Sequence, residues 1–315
     1  MPNIEDRHGS IRSAAAAAAA AAAVLAATTA CALSEPAAED GGLTVVTTFT
    51  VLADMVRNVA GDRVEVVSIT RPGSEIHAYE PTPDDLVRGA GADLVVHNGL
   101  GLEGWFAQFT ERIDAPTATA SEGVETIPIT AGGYQGEPNP HAWMSPDNAG
   151  VYVDNIADAL SELDPARAED YTADAEDYKR SIGRIGEELA GDLSRVPPSQ
   201  RALVTCEGAF SYLARDAGLS ERYLWAVNAD TQATPRQVAS VVEFVRDNDV
   251  PTVFCETTVN AGSQRQVADE SGAELGPALY VDSLSKPGGP VPTYLDLLRY
   301  DTEAIASGLT RQEDA

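Results

Sequence analysis

Four side chains set the chemistry open to this chain: His77, His141, Glu207 and Asp282. Successive gaps of 64, 66 and 75 residues separate them, and each stands at or just past the end of a stretch that reads as a strand. His141 sits in Asn139-Pro140-His141-Ala142-Trp143-Met144-Ser145-Pro146 and is one of only four histidines in the chain. In open parallel sheets, ligands sit off the carboxyl ends of the strands, so two such sheets facing each other would bring the four groups together. Two neutral imidazoles and two ionised carboxylates then offer a mixed nitrogen and oxygen shell whose charge balances one divalent cation, a donor set that suits Mn²⁺ and Fe²⁺ better than a thiolate site would. Zn²⁺ remains a competing binder, because raw affinity favours it over Mn²⁺.

Each of these residues also has a plain structural use. A loop histidine can cap backbone groups, and an acid at a strand-to-helix turn is a common helix N-cap. Their joint placement favours the ligand role. His97, after Val95-Val96, has no partner motif and is expected to be structural. Glu256 and Asp230 lie at strand ends on the same side and are expected to support ligands rather than to bind metal.

The elements that must position these groups follow from periodicity and punctuation. Leu43–Phe49, Val64–Ile69, Asp93–His97 and Thr117–Thr119 read as strands. Helices are predicted at Val51–Val59, from Pro81 to Gly89, and over Leu102–Arg112. Strand and helix alternate, which implies a parallel sheet with helices on its faces. Asp147–Leu163 reads as a helix, and a second, longer run starts at Pro165 and reaches Leu193. Its apolar positions Tyr171, Ala175, Tyr178, Ile182, Ile185 and Leu189 step at helical spacing, and Pro197-Pro198 ends it. Beyond it, strands are predicted at Ala202–Cys206, Tyr223–Val227, Thr252–Cys255 and Leu279–Val281. Helices are predicted at Phe210–Ala217, Pro235–Asn248, Gly262–Ser271 and Tyr294–Ile305. The fold class is therefore α/β: two lobes, each a mainly parallel sheet flanked by helices, joined by one long helix, with the metal cleft between them. The expected divisions are residues 1–30 as a signal peptide, 31–42 as a lipidated tether, 43–150 as the N-terminal lobe, 151–198 as the helical linker and 199–315 as the C-terminal lobe.

At 315 residues and 43% hydrophobic content, the chain can bury two cores. A formal net charge of −28 argues against nucleic acid or an anionic membrane as the partner of a basic face. Arg7 and Arg12 precede an apolar run from Ala14 to Ala27, which is too short and too weakly apolar for a permanent membrane span. Thr28-Thr29-Ala30-Cys31 follows and resembles a bacterial lipoprotein signal, which would make Cys31 the lipidated first residue of the mature chain. Thr28 departs from the usual Leu. Cys206 and Cys255 then remain. A disulfide between them is permitted outside the cytoplasm, but buried free cysteines are common, and free thiols are the preferred expectation.

Taken together, Thr47-Thr48-Phe49, the stretch Pro72-Gly73-Ser74-Glu75-Ile76-His77-Ala78-Tyr79-Glu80-Pro81-Thr82-Pro83, Asn98-Gly99-Leu100-Gly101-Leu102-Glu103, the His141 segment, Glu207-Gly208-Ala209-Phe210 and Tyr280-Val281-Asp282-Ser283-Leu284 resemble the metal-binding lipoproteins of ABC importers (the cluster 9 solute-binding family) and, within them, the manganese/iron branch. The resemblance covers Leu43 to Ile305. It implies two α/β lobes joined by one long helix and metal ligands at His77, His141, Glu207 and Asp282. The transported ligand would be one divalent ion, Mn²⁺ or Fe²⁺ with Zn²⁺ possible, handed to a membrane permease and its ATPase. The chain would be a monomer without enzymatic activity, held by lipid at the outer face of the cell membrane. Relatives devoted to zinc carry a third His and a His-rich acidic loop; Glu207 and the lack of such a loop point away from them. Cys206 stands where Ser is common in relatives. A zinc-specific binding protein of the same family, a surface adhesin lipoprotein and a metal-dependent hydrolase are the alternatives. The hydrolase lacks any HExxH, nucleophile-elbow or phosphate-loop motif, and four protein ligands would leave its metal little room for a substrate.

Overall fold

Apolar runs in the first half fold into one parallel sheet. The computed structural model describes residues 42–227 and 233–310. The expected signal, Cys31 and its tether up to residue 41, and Asp230, lie outside the described residues. Strands β1 (Thr44–Thr47), β2 (Glu65–Ser68), β3 (Leu94–His97) and β4 (Thr117–Thr119) pair in the order β2-β1-β3-β4, every pair parallel. Val45, Val46, Val95 and Val96 are fully buried, as expected of central strands covered on both faces. Helix α1 (Thr50–Ala60) buries Val51, Leu52, Met55, Val56 and Val59, the stripe that 3.6-residue periodicity places on one face. Helix α2 (Pro83–Ala90) starts on a capping box in which Thr82 and Asp85 satisfy each other's backbone N–H groups.

The predicted helix over Leu102–Arg112 shrinks to α3 (Phe106–Thr110). Gly99, Leu100 and Gly101 all have positive φ, so the chain turns sharply there. Glu103 then points back and accepts from Thr48 Oγ1 and from the N–H groups of Asn98 and Gly99.

Helix α4 (Pro146–Leu163) is capped by Ser145, whose Oγ accepts from the Asn148 N–H. Helix α5 (Ala168–Leu193) follows a 3₁₀ turn at Pro165–Arg167, so it begins three residues later than Pro165.

In the second half, β5 (Ala202–Glu207) pairs in parallel with β6 (Ser220–Trp225), and β7 (Thr252–Val253) with β8 (Glu274–Leu275). The Phe254 N–H donates to the Val204 carbonyl and joins β7 to β5. Helices α6 (Ser211–Ala217), α7 (Pro235–Asp247), α8 (Gly262–Ser271) and α9 (Tyr294–Thr310) cover these strands. The predicted strand at Leu279–Val281 reduces to a single bridge between Glu256 and Leu279. The Tyr280 N–H turns to the Asp301 carboxylate instead of a neighbouring strand, which stops the ladder. The strand found instead, β8, carries no apolar run. It leads into Gly276, where a Cβ would lie 2.5 Å from the Phe254 ring, so only glycine permits the approach.

Helix α5 is 26 residues long, about 39 Å at 1.5 Å per residue. Its buried stripe is Tyr171, Ala175, Tyr178, Ile182, Ile185, Leu189 and Leu193. It packs against α1 and α4 from the first half and against α6 and α9 from the second, and so joins the two sets of strands.

One expectation is overturned. Cys206 and Cys255 are not free thiols but a disulfide, with Cα atoms 4.9 Å apart. The physical reason is the β5–β7 contact, which sets the two residues side by side within bridging range.

Candidate metal centre

The four predicted ligands lie close together: Glu207 ends β5, and His77 and His141 stand in loops. His77 lies in the loop after β2, and that loop is pinned at both ends. The Glu75 carboxylate accepts from the backbone N–H groups of His77 and Ala78 at 2.7 and 2.9 Å. The Gly73 N–H donates to Ser283 Oγ at 2.7 Å, tying the His77 loop to the residue after Asp282. His141 is fully buried. Its backbone N–H and ring Nδ1 both meet Asn139 Oδ1, at 3.1 and 2.9 Å. An amide oxygen only accepts, so Nδ1 carries the ring proton and Nε2 is left with its lone pair.

The two Nε2 atoms lie 3.1 Å apart. Two nitrogens on one ion at about 2.1 Å would be about 3.0 Å apart at a right angle and about 3.4 Å at the tetrahedral angle. The observed spacing falls between these. Glu207, the last residue of β5, places Oε1 3.6 Å from His77 Nε2 and 3.9 Å from His141 Nε2. Asp282 Oδ1 is 3.9 Å from His141 Nε2. Donor atoms of His77, His141 and Asp282 all lie within 4.8 Å of one another; Glu207 flanks that trio against both imidazoles.

The electrostatics favour a cation. Asp282 is buried, and its Oδ1 has no hydrogen-bond partner, while Oδ2 accepts from Thr258 Oγ1 at 3.2 Å. A buried, unpaired carboxylate oxygen is costly without a counter-charge. Burial accordingly raises the Asp282 pKa, and His77 works against that rise. Burial, with the charge of His77, pushes His141 well below the usual histidine value, so it stays neutral and able to ligate. Glu256 receives the Glu207 N–H at 3.3 Å on both oxygens. Burial pushes its carboxyl up to about 8, so at neutral pH it holds Glu207 in place while adding little charge. This is the supporting place expected of it.

His97 stands apart. Its ring stacks on Phe106 at 4.0 Å and its Nε2 meets Thr119 Oγ1 at 3.0 Å, and burial lowers its pKa to about 4. The sulfurs of Cys206 and Cys255 lie beside Glu256 but are bonded to each other and offer no thiolate. A cavity of about 790 Å³ is lined by Asn139, Ser211, Glu221, Tyr223 and Trp225 but by none of the four ligands. Sequence reasoning missed Asn139, Glu75, Thr258 and Ser283. All four are within three residues of a ligand or meet it only in space; adjacency to His141 and His77 was the available signal for the first two.

Comparison with known proteins identifies the family. The profile of the family described as ZnuA, zinc-uptake complex component A, periplasmic, matches residues 45–308. The chain is 50% identical over 265 residues to the iron-binding protein YfeA of Yersinia pestis, covering 84% of this chain and 85% of that one. It is 34% identical over 276 residues to the manganese-binding lipoprotein MntA of Halalkalibacterium halodurans, covering 87% and 91%. Among solved structures it is similar to the Mn-bound periplasmic metal-binding protein of Candidatus Liberibacter asiaticus, with a TM-score of 0.80, 36% identity, and coverage of 85% of this chain and 99% of that one.

Proposed function

This chain belongs to the periplasmic zinc-uptake complex component A family, and from that premise we propose that it captures one divalent transition ion on His77, His141, Glu207 and Asp282 and delivers it to an ABC permease. The family is one of extracytoplasmic solute-binding components of metal importers, not of enzymes. The observation that carries the ligand assignment is the buried Oδ1 of Asp282, which lacks a hydrogen-bond partner and lies 3.9 Å from an imidazole nitrogen with its lone pair exposed.

The cargo is Mn²⁺ or Fe²⁺, with Zn²⁺ a competing binder. Two carboxylates among four ligands support that choice, as do the iron- and manganese-binding relatives. The division into lobes at residues 43–150 and 199–315, with 151–198 between them, belongs to the same proposal, as does action as a monomer anchored through a lipid on Cys31.

Calorimetric titration of chelator-treated protein with Mn²⁺, and then with Zn²⁺, tests the assignment. One ion per chain is expected, with binding strongly weakened in Glu207→Ala and Asp282→Ala. Affinity near that of the wild type in both variants would place the site elsewhere. Elemental analysis of protein purified from metal-limited cells identifies the cargo.

A further inference from the structure

We propose that the hydrogen bond from the Gly73 N–H to Ser283 Oγ latches the His77 loop shut, and that opening of this loop sets how fast the ion enters and leaves. The inference rests on the four-ligand reading of the site. Side-chain exposure is 6% for His77, 3% for Glu207, 2% for Asp282 and 0% for His141. A hydrated cation cannot reach donors so covered unless part of the chain moves aside. The two halves offer little room for that, because α5 runs unbroken and packs on helices from each. Passage then falls to a loop.

Three of the four ligands sit on segments that are themselves buried. Every residue of β5, which ends on Glu207, is buried, and Cys206 is bonded to Cys255. His141 precedes Ala142, Trp143 and Met144, all fully buried. Asp282 lies between Val281 and Ser283, both buried, and the Leu284 N–H beyond them donates to Thr50 Oγ1 of α1 at 2.9 Å. His77 differs. Its loop, residues 69–82 between β2 and α2, holds no strand or helix, and Arg71, Pro72, Gly73, Ala78 and Glu80 are exposed. From Arg71 to Thr82 only Ile76 is buried. A segment with exposed backbone and few buried contacts opens at low cost.

Most polar ties of that loop stay within it or reach the first half. Glu75 takes the N–H groups of His77 and Ala78, the Thr70 N–H donates to the Thr48 carbonyl, and the Tyr79 hydroxyl donates to Asp85 Oδ2. Apart from the ligands themselves, the Gly73–Ser283 bond, at 2.7 Å, is the one hydrogen bond among the described residues that joins the loop to the second half. It is also a bond that can break without leaving a buried group unpaired. Gly73 is at the surface, so water can take its N–H. Ser283 is buried, and its hydroxyl keeps the Leu284 carbonyl at 3.2 Å and Thr50 Oγ1 at 3.4 Å. Because the bond includes no ligand side chain, its loss should speed passage in both directions and leave the affinity nearly unchanged.

The test compares the purified full chain with Ser283→Ala, which loses only a hydroxyl, and Ser283→Thr, which keeps one. Stopped-flow mixing with Mn²⁺ gives the capture rate, and mixing the loaded protein with excess EDTA gives the release rate. Trp143, whose ring lies 5.2 Å from that of His141, supplies the fluorescence signal. Amide hydrogen exchange of metal-free protein reads the loop directly. In Ser283→Ala, exchange over residues 69–82, capture and release are each expected to be about fivefold faster, the scale of one net hydrogen bond, with Kd within about twofold of wild type. Ser283→Thr should return all three towards wild type. Unchanged exchange or unchanged rates would overturn the proposal. So would a weaker affinity at an unchanged capture rate, which would make Ser283 a support for Asp282 alone, and so would faster exchange spread over the whole chain, which would mean general loosening. If wild type binds neither Mn²⁺ nor Zn²⁺, faster exchange confined to the loop in Ser283→Ala would leave the latch standing and refute the ligand reading.

Discussion

Asp282 carries a conflict that a proton or a cation can resolve. Its carboxyl is buried and raised in pKa, and one oxygen is unpaired. A group whose folded pKa is raised contributes stability below its unfolded value and loses that contribution as pH rises through the folded one. Wherever Asp282 is ionised without a counter-charge, it therefore weighs against the metal-free fold. Asp282→Asn should raise the melting temperature of the metal-free protein while weakening Mn²⁺ binding by at least about a hundredfold, since even groups behind a ligand are worth 10–100-fold. Thermal denaturation and titration of the one variant check both; a lower metal-free melting temperature with affinity retained contradicts this account. Acid dependence follows from the same directions. Burial raises the Asp282 carboxyl and holds His141 well below its usual value, and a proton on either group displaces the metal. Mn²⁺ affinity should thus decline as pH falls from neutral towards the raised carboxyl range, which titration at several pH values reads directly. Depression of His141 acts separately on the metal-free protein: below about pH 6.5 the unfolded chain takes up a proton that the folded chain refuses, so stability falls with pH there. His97→Ala, away from the cluster, should leave Mn²⁺ affinity unchanged.

At the scale of elements, α5 and the disulfide govern how far the two sets of strands can shift. A continuous helix of 26 residues, buried along one stripe and packed on helices from both halves, offers no hinge. Small-angle scattering curves with and without Mn²⁺ should nearly superimpose; a marked compaction would contradict the strut. Cys206–Cys255 closes a loop with a sequence separation of 49, for which chain entropy predicts about 4 kcal/mol of stabilisation at most. The Cys206→Ala/Cys255→Ala variant should therefore unfold at lower denaturant than wild type. A midpoint unchanged by its loss would show that the bridge constrains the native chain no more than packing already does.

For the whole molecule, the formal charge of −28 leaves the surface acidic, and no helix among the described residues is long and apolar enough to cross a membrane. If the proposed lipid sits on Cys31, after Thr28-Thr29-Ala30, the native protein should partition into detergent and Cys31→Ala should not. Mass spectrometry of the mature N-terminus checks the same point; an unmodified Cys31 in a chain cut elsewhere would refute it.

The four candidate ligands were picked from the sequence by residue type and surrounding motifs; of the four, Glu207 ends a strand, β5, while His77 and His141 stand in loops. The long helix was legible because its stripe repeats without a proline from Tyr171 to Leu189. Short-range signals failed where contacts distant in sequence took over a backbone group. Glu103 turns back to Thr48 and shortens α3, and the Asp301 carboxylate takes the Tyr280 N–H and ends a strand that its apolar residues had suggested. The cysteine pairing depended on β7 lying beside β5, a neighbour relation that no local pattern encodes. The same holds for the polar residues behind the ligands. Asn139 and Glu256 have ordinary types at ordinary positions, and their places beside His141 and Glu207 come from hydrogen bonds in space. Sequence alone nominated the side chains proposed to bind the ion, through residue type and the motifs around them. Tertiary structure decided which nitrogen of His141 faces it, because that depends on the order in which buried donors and acceptors meet.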